Sequence, residues 1–540
     1  MFNWLYKQKV KFLIAGILFL ICLLIIYTLK NVGVSNRNSF SEVPVASVAD
    51  IQDGRMLASK YCQSCHMLPE PSLLTKEMWY TGVLPRMGPF LGYTFFRGQP
   101  YERANDVSSA YFPAKPVIDS VKWSHIIAWY INSAPGRMPE QKKSVNVIRQ
   151  LPFFEVKLPQ SSFFYGTISM TSIVKIDTTV RPRRLLVGDG MASRFIVLND
   201  HLQTQSSSRV AGPIVDLDFS SNRIFACSIG TTMEANNLHN GQVRAIAIDP
   251  KGKITPDSEP LFDHLARPVK INHADLNGDG KMDYIISQFG NLVGDLSWME
   301  NKGNGKFEKH LLRDKSGALN TIIQDVNHDG KPDIWAQFAQ GDESIFLYTN
   351  KGHGKFEEKR VLRFPPSYGS TSFDVADFDQ DGYPDIIYTC GDNGDYTPIL
   401  KPYHGVYIFT NDSKNNFRQK YFYPINGCYK AIARDFDGDD DLDIATISFF
   451  PSDAQPEEAF IYLENKGNFN FQPYSLLPGT PFQKGITMDA GDLDGNGKPD
   501  LIIGNGCYTS DSTSTHKEPL FIVLKNKSIK RSSRLTAQNK

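Results

Sequence analysis

"DLNGDGKMD" (residues 275–283) carries oxygen-bearing side chains at its first, third, fifth and ninth positions and a glycine at its sixth. Four further segments keep the frame: "DVNHDGKPD" (325–333), "DFDQDGYPD" (377–385), "DFDGDDDLD" (435–443) and "DLDGNGKPD" (492–500). Their starts are separated by 50, 52, 58 and 57 residues, a period typical of repeat architectures. Each copy runs into β-forming residues, as in "DYIISQF", "DIWAQF" and "DIIYTC", and then into a second hairpin such as "WMENKGNGKFEKHLL". Four strands per repeat are the content of one propeller blade. Degenerate copies around Asp177 and Asp216 bring the expected number of blades to seven. The last repeat stops at its third strand, "LFIVLKN", so its outer strand is expected from "FFEVKLP" (153–159). Such mixed closure removes an exposed sheet edge.

Alternating Asp and Asn side chains, with a backbone carbonyl at position 7, converge on one hard cation, as in the first part of an EF-hand loop. Glycine at position 6 permits the sharp turn. The expected ligands are Asp275, Asn277, Asp279 and Asp283, then Asp325, Asn327, Asp329 and Asp333, then Asp377, Asp379, Asp381 and Asp385. Asp435, Asp437, Asp439 and Asp443 follow, and Asp492, Asp494, Asn496 and Asp500 complete the set. No bidentate Glu stands at position 12 and a strand follows in place of a helix, so these are Ca2+ loops between strands, up to five in all. Asp440 holds the glycine position of the fourth loop, where strain is expected. The copies around Asp177 and Asp216 lack the full ligand set and are expected to bind no metal. The motif resembles the FG-GAP or VCBS repeats of integrin-type and bacterial β-propellers, and that resemblance implies a propeller over 153–528.

A different chemistry stands upstream. Cys62, Cys65 and His66 in "YCQSCHMLP" form C-x-x-C-H, in which two thiols add to haem vinyl groups and the histidine supplies an axial iron ligand. A zinc half-site would want a second ligand pair nearby, and a redox dithiol a βαβ context; neither is present. "DIQDGRMLASKYCQSCH" reads as a helix entering the motif and "IDSVKWSHIIAWYINSAP" as an aromatic helix closing a small domain. Together they resemble a class I c-type cytochrome over about 48–140, which implies one covalent haem c per chain and a methionine as sixth ligand. Met87 in "VLPRMGPFLG" is the expected ligand, with Met138 and His125 as alternatives.

From Phe12 to Leu29 runs an 18-residue segment without a charge, preceded by Lys7, Lys9 and Lys11. At 1.5 Å per residue it covers about 27 Å, the thickness of a bilayer's hydrocarbon core. The lysines favour a cytoplasmic N-terminus. A cleaved signal peptide starts in the same way, but this run is long for that role and no small-x-small site follows it closely. Lys plus Arg equal Asp plus Glu at 58 each, which leaves no basic face for nucleic acid.

The expected fold class is therefore multidomain, with an N-terminal transmembrane helix, a small all-α cytochrome c domain and an all-β seven-bladed propeller. The expected boundaries are a cytoplasmic 1–11, an anchor over 12–29, a stalk over 30–47, the cytochrome domain over 48–134, a linker over 135–152, the propeller over 153–528 and a polar tail over 529–540. The expected function is one-electron transfer to an extracytoplasmic redox partner protein, on the periplasmic side of a bacterial cell membrane. The propeller would serve as docking platform, with no nucleic acid involved. Two alternatives stand beside it. One is a haem-linked dehydrogenase using the loop face that carries Tyr403, His404, Tyr429 and Lys430; the other is an adhesion or ligand-binding propeller. Cys390 and Cys428, in neighbouring blades, are candidates for a disulfide, with Cys227 and Cys507 near the same face.

Overall fold

A computed structural model describes residues 46–96, 99–101, 107–166, 168–220, 223–394, 397–506 and 517–529. The anchor expected over 12–29, the N-terminus before it, nearly all of the stalk and the tail beyond 529 lie outside these residues. Among the described residues, no helix is long and apolar enough to cross a membrane.

Seven antiparallel sheets form the blades of a β-propeller. Blades 1 to 6 run in chain order from the inner strands that begin at Thr171, Ile214, Pro268, Ala318, Ser370 and Cys428. Blade 7 is composite. Gly485–Gly491, Asp500–Asn505 and Phe521–Asn526 supply three strands, and Phe154–Lys157 pairs with the last of them as the outer strand. The sheet edge at the chain's two ends is thereby covered, as the pattern predicts.

Sequence dictates the layering of each blade. Second strands such as Asp283–Gln288, Asp333–Phe338 and Asp443–Ser448 are buried at every residue, because both of their faces meet neighbouring sheets. Their near-continuous apolar runs suit that position. Inner strands bury every third residue and turn polar ones toward the axis. There, neighbouring blades are tied by charge: Asp489 of blade 7 accepts from Lys175 Nζ and from the Ile176 N–H of blade 1, both at 2.9 Å. Asp216 of blade 2 holds Lys270 at 3.1 Å and the Ile271 N–H at 3.0 Å in the same way.

The expectation of a multidomain chain with a separate all-α cytochrome domain is corrected. Residues Ile51–Lys540 form one compact unit, overwhelmingly β. Only three short α-helices occur among the described residues, Val48–Tyr61, Leu84–Met87 and Ser120–Ser133. The two longer ones cross at Gly54, where a Cβ would stand 2.0 Å from the His125 carbonyl oxygen. Between them the chain forms 3-10 turns, a π-helical turn and a two-residue hairpin. The physical reason is a shortage of helix, and the segment is tied to the propeller by side-chain hydrogen bonds. Tyr403 of blade 5 donates its hydroxyl to the Leu73 carbonyl at 2.8 Å. The stretch 135–152 is likewise stitched down. Gln141 donates to the carbonyls of Lys401 and His404 at 3.0 and 2.9 Å. Lys143 reaches the wholly buried Glu458 at 2.6 Å, and Ile148 bridges Tyr474.

Candidate functional site

The five acidic loops share one geometry. The position 1 carboxylate folds the loop around itself: in the first loop Asp275 accepts from Gly278 and Gly280 at 2.8 Å and from Asp279 at 3.1 Å. The position 9 aspartate is a keystone. Asp333, wholly buried, accepts from the Val326 N–H at 3.1 Å with one oxygen and from the Asn350 N–H at 2.7 Å with the other. Asp283, Asp385, Asp443 and Asp500 repeat both bonds, with partners Asn301, Asn411, Asn465 and Asn526. Those asparagines were not singled out in the sequence, although each stands at or near the end of its blade's third strand. Their side chains fasten the loop too; Asn350 Nδ2 donates to Leu276 of the preceding blade and to Pro332, at 2.9 and 3.1 Å.

Positions 1, 3 and 9 come together. Carboxylate oxygens of Asp377, Asp379 and Asp385 lie within 4.8 Å of one another, and so do those of Asp435, Asp437 and Asp443 and those of Asp492, Asp494 and Asp500. In the first two loops position 3 is Asn277 or Asn327. Position 5 is turned aside: Asp279 and Asp329 accept from the N–H two residues on and pair with Lys281 and Lys331 at 2.7 and 3.0 Å. Burial, with repulsion from neighbouring carboxylates, pushes the Asp385 carboxyl up to about 6 and that of Asp443 up to about 7. A hard divalent cation would offset both the burial and the repulsion, so the donor set fits Ca2+.

The strain expected at Asp440 is present: its φ is +72°, where Gly280, Gly330, Gly382 and Gly497 stand at +80°, +79°, +89° and +82°. In blade 1, Arg184 takes the register of the position 9 aspartate, and its Nε donates at 2.7 Å to Asp177. A guanidinium stands there where the five acidic loops carry a carboxylate.

The C-x-x-C-H segment follows the end of the helix Val48–Tyr61. Both thiols are free; Cys62 is half-buried and Cys65 exposed. Burial, with the neighbouring Cys65, pushes the Cys62 thiol up to about 11. His66 Nδ1 donates to the Met67 carbonyl at 2.9 Å, which leaves the Nε2 lone pair as the ring's ligating atom. Burial holds the ring below its ordinary value. Large apolar rings flank the motif. Tyr111 lies within electrostatic reach of Cys65, it meets Phe90 edge-on with centroids 6.2 Å apart, and both rings are 41% exposed. Two thiols and an imidazole at C-x-x-C-H spacing are the donor set that a covalent haem uses.

Met87 ends the helix Leu84–Met87, three residues before Phe90, and is half-buried. His125 is engaged elsewhere, with its Nδ1 2.6 Å from Asp53. Met138 lies beyond the second long helix, on the stretch that crosses the propeller. The loop-face residues are not an open rim. His404 is wholly buried and held well below its ordinary value by burial and by the Lys401 charge, while Tyr403 serves as the anchor of Leu73. Lys430 stands in the inner ring, pushed down to about 8 by burial. Cys390 and Cys428 are separate buried thiols; the first donates to the Tyr403 carbonyl at 3.3 Å and the second lies 3.4 Å from Thr446 Oγ1. Cys227 is also a buried free thiol, and Cys507 lies outside the described residues.

Residues 275–336 and 325–388 match the family model of the FG-GAP-like repeat. The chain thus carries FG-GAP repeats on a seven-bladed β-propeller. It is similar to integrin alpha-PS5 of Drosophila melanogaster, 29% identical over 31% of this chain and 19% of that protein. It is also similar to integrin alpha-PS3 of the same organism, 31% identical over 21% of this chain and 12% of that protein. It therefore spans under a fifth of the length of either relative. Among solved structures, the Dos1 propeller aligns with a TM-score of 0.39 at 12% identity, covering 66% of this chain and 78% of that one. An ancestral GH74 enzyme aligns with a TM-score of 0.43 at 9% identity, covering 68% and 49%.

Proposed function

We propose that this chain is a ligand-binding propeller of the adhesive kind, its blades stiffened by Ca2+, working on the extracytoplasmic side of a bacterial cell membrane. The observation that carries this reading is the repetition of one acidic cage in five consecutive blades, in a chain similar to two integrin alpha proteins. The charge-free run Phe12–Leu29 behind three lysines supports the compartment. Cage ions would fix the outer loops against the buried second strands and so hold a binding face in shape. The test is binding of the purified full chain to protein and glycan arrays, in calcium and in EGTA. Binding that needs calcium supports the reading. Defeat is a chain that binds nothing and whose thermal midpoint ignores calcium.

A second reading is favoured by one specific arrangement, the two free thiols of Cys62 and Cys65 followed by the imidazole of His66, whose Nδ1 is held by the Met67 carbonyl. Covalent haem c would be tethered there, and when bound it supplies one-electron exchange. The two cysteines would hold it, His66, with its ring fixed by the Met67 carbonyl, would supply an imidazole ligand, and Met87 is the candidate thioether. The propeller face would then dock an extracytoplasmic redox partner. Oxidised and reduced absorbance spectra of protein made in a haem-attaching host test this, and colourless protein ends it.

A further inference from the structure

The first two acidic loops carry one ligand set. "DLNGDGKMD" (275–283) and "DVNHDGKPD" (325–333) agree at positions 1, 3, 5, 6 and 9, with asparagine at position 3 in both. Each asparagine gives its side-chain oxygen to its own loop. Asn277 Oδ1 accepts from the Asp279 N–H and Asn327 Oδ1 from the Asp329 N–H, both at 3.0 Å. What stands outside the two loops differs. In blade 3, Glu300 of the third strand Leu296–Gly303 accepts from Asn277 Nδ2 at 3.0 Å through Oε1. In blade 4 the residue of the same register is Thr349.

Register puts Glu300 at that place. It precedes Asn301, whose N–H is fixed to the keystone Asp283 at 2.7 Å. In blade 7 the residue before the corresponding asparagine is Lys525, and its ammonium lies 3.5 Å from Asp494, again position 3 of the loop. In both blades this register therefore meets position 3, with a carboxylate beside the asparagine amide and a cation beside the aspartate. The Glu300 carboxylate is itself held, since its Oε2 lies 2.7 Å from His310 Nε2 and 2.8 Å from Lys302 Nζ. A side-chain amide donates only through its nitrogen. A fixed acceptor behind Asn277 Nδ2 thus keeps Oδ1 on the loop side, and oxygen is the end that a hard cation takes.

We propose that Glu300 is a positioning residue of the first calcium cage, holding Asn277 with its oxygen toward Ca2+ and adding a negative charge just outside the donor set. This rests on the calcium reading above and deepens it, because two cages with the same ligands then differ in affinity. Groups that orient a metal ligand from outside account for about 10–100-fold in affinity. The cage of blade 3 therefore binds Ca2+ about tenfold more tightly than that of blade 4, which has a threonine where blade 3 has Glu300.

The test uses the purified full chain in calcium buffers. Hydrogen exchange of the amides of 276–283 and of 326–333, followed across free calcium, gives a separate midpoint for each of the two cages. In wild type the blade 3 midpoint is expected about tenfold below that of blade 4. Glu300→Thr, which installs the blade 4 residue, should raise it to the blade 4 value. Glu300→Gln keeps an acceptor for Asn277 without the charge, and its midpoint should fall between the two. The blade 4 midpoint should hold still in both variants, which separates an effect on one cage from damage to the fold. Equal midpoints in wild type, or a blade 3 midpoint unmoved by Glu300→Thr, overturn the positioning role and leave the calcium reading standing. Loops whose exchange ignores calcium overturn both.

Discussion

The ammonium of Lys525 lies 3.4 Å from the carboxylate of Asp500, and 3.5 Å from Asp494 of the same loop, inside the cage of blade 7. Lys525 precedes the keystone Asn526. Glu300, Thr349, Thr410 and Glu464 hold that register in blades 3 to 6, so blade 7 alone places a cation there. Arg183 adds a second by contacting Asp492. Internal cations compete with Ca2+ for the same oxygens, and blade 7 is expected to bind calcium most weakly of the five. Lys525→Thr should tighten that site at least tenfold, read by calorimetric calcium titration. Unchanged affinities in the variant would refute the competition.

Backbone strain gives a second prediction. Asp440 adopts φ +72° at a position where its four counterparts are glycine. A side chain there costs about 1 kcal/mol, since a Cβ crowds the following carbonyl in the left-handed region. Asp440→Gly in saturating calcium is expected to raise unfolding stability by about that amount, measured by urea denaturation. A loss of stability would mean that the Asp440 carboxylate is itself a calcium ligand.

Much of this architecture was legible in the sequence, and the reason is periodicity. The frame D-x-[DN]-x-[DN]-G-x-x-D returns at blade spacing, and "FFEVKLP" had nowhere to pair but the incomplete last blade. The helical segment was read less well. "VADIQDGRMLASKY" and "SVKWSHIIAWYINS" do form helices, yet periodicity within a helix cannot say what covers its apolar side. The groups that tie this segment and the stretch after it to the propeller, Tyr403 for Leu73 and the Lys401 and His404 carbonyls for Gln141, sit more than 250 residues away in sequence from the groups they bind. The keystone role of Asp333 and Asn350 was equally hidden, because a buried aspartate that caps backbone N–H groups carries the same letter as one that binds a metal.

That keystone can be removed. Asn350→Ala strips the donors from the buried Leu276 carbonyl and the half-buried Pro332 carbonyl and leaves the first unsatisfied. The expected cost is about 2–3 kcal/mol. Urea unfolding should show it with calcium present, and a change below about 0.5 kcal/mol would mean that water replaces the side chain.

Glu343 sets a pH dependence. Its carboxyl accepts from the Ser370 N–H at 2.9 Å and from the Ser370 hydroxyl at 2.6 Å, yet burial still pushes it from 4.5 up to about 8. Between those values the folded state keeps a proton that the unfolded chain has released. This contribution is therefore fully present at low pH, falls as pH rises across that window and is gone above it. Glu343→Gln, neutral throughout, should lose less stability from pH 5 to pH 8 than wild type, measured by urea midpoints in saturating calcium. Parallel profiles for the two proteins would rule the carboxyl out as the source.

The junction between the helical segment and the propeller can be probed at a single atom. Tyr403 stacks on Tyr368 with ring centroids 4.6 Å apart, and its hydroxyl donates to Leu73 at 2.8 Å. Tyr403→Phe keeps the stack and deletes the donor, at a cost of about 1 kcal/mol. If the segment is anchored there, the loss is local. Hydrogen exchange should accelerate severalfold in the amides of 73–79, while the buried strand Asp385–Cys390 of the same blade keeps its protection. Equal acceleration in both regions would show that the tyrosine supports the blade as a whole, and no change in either would show that Leu73 is held by its other contacts.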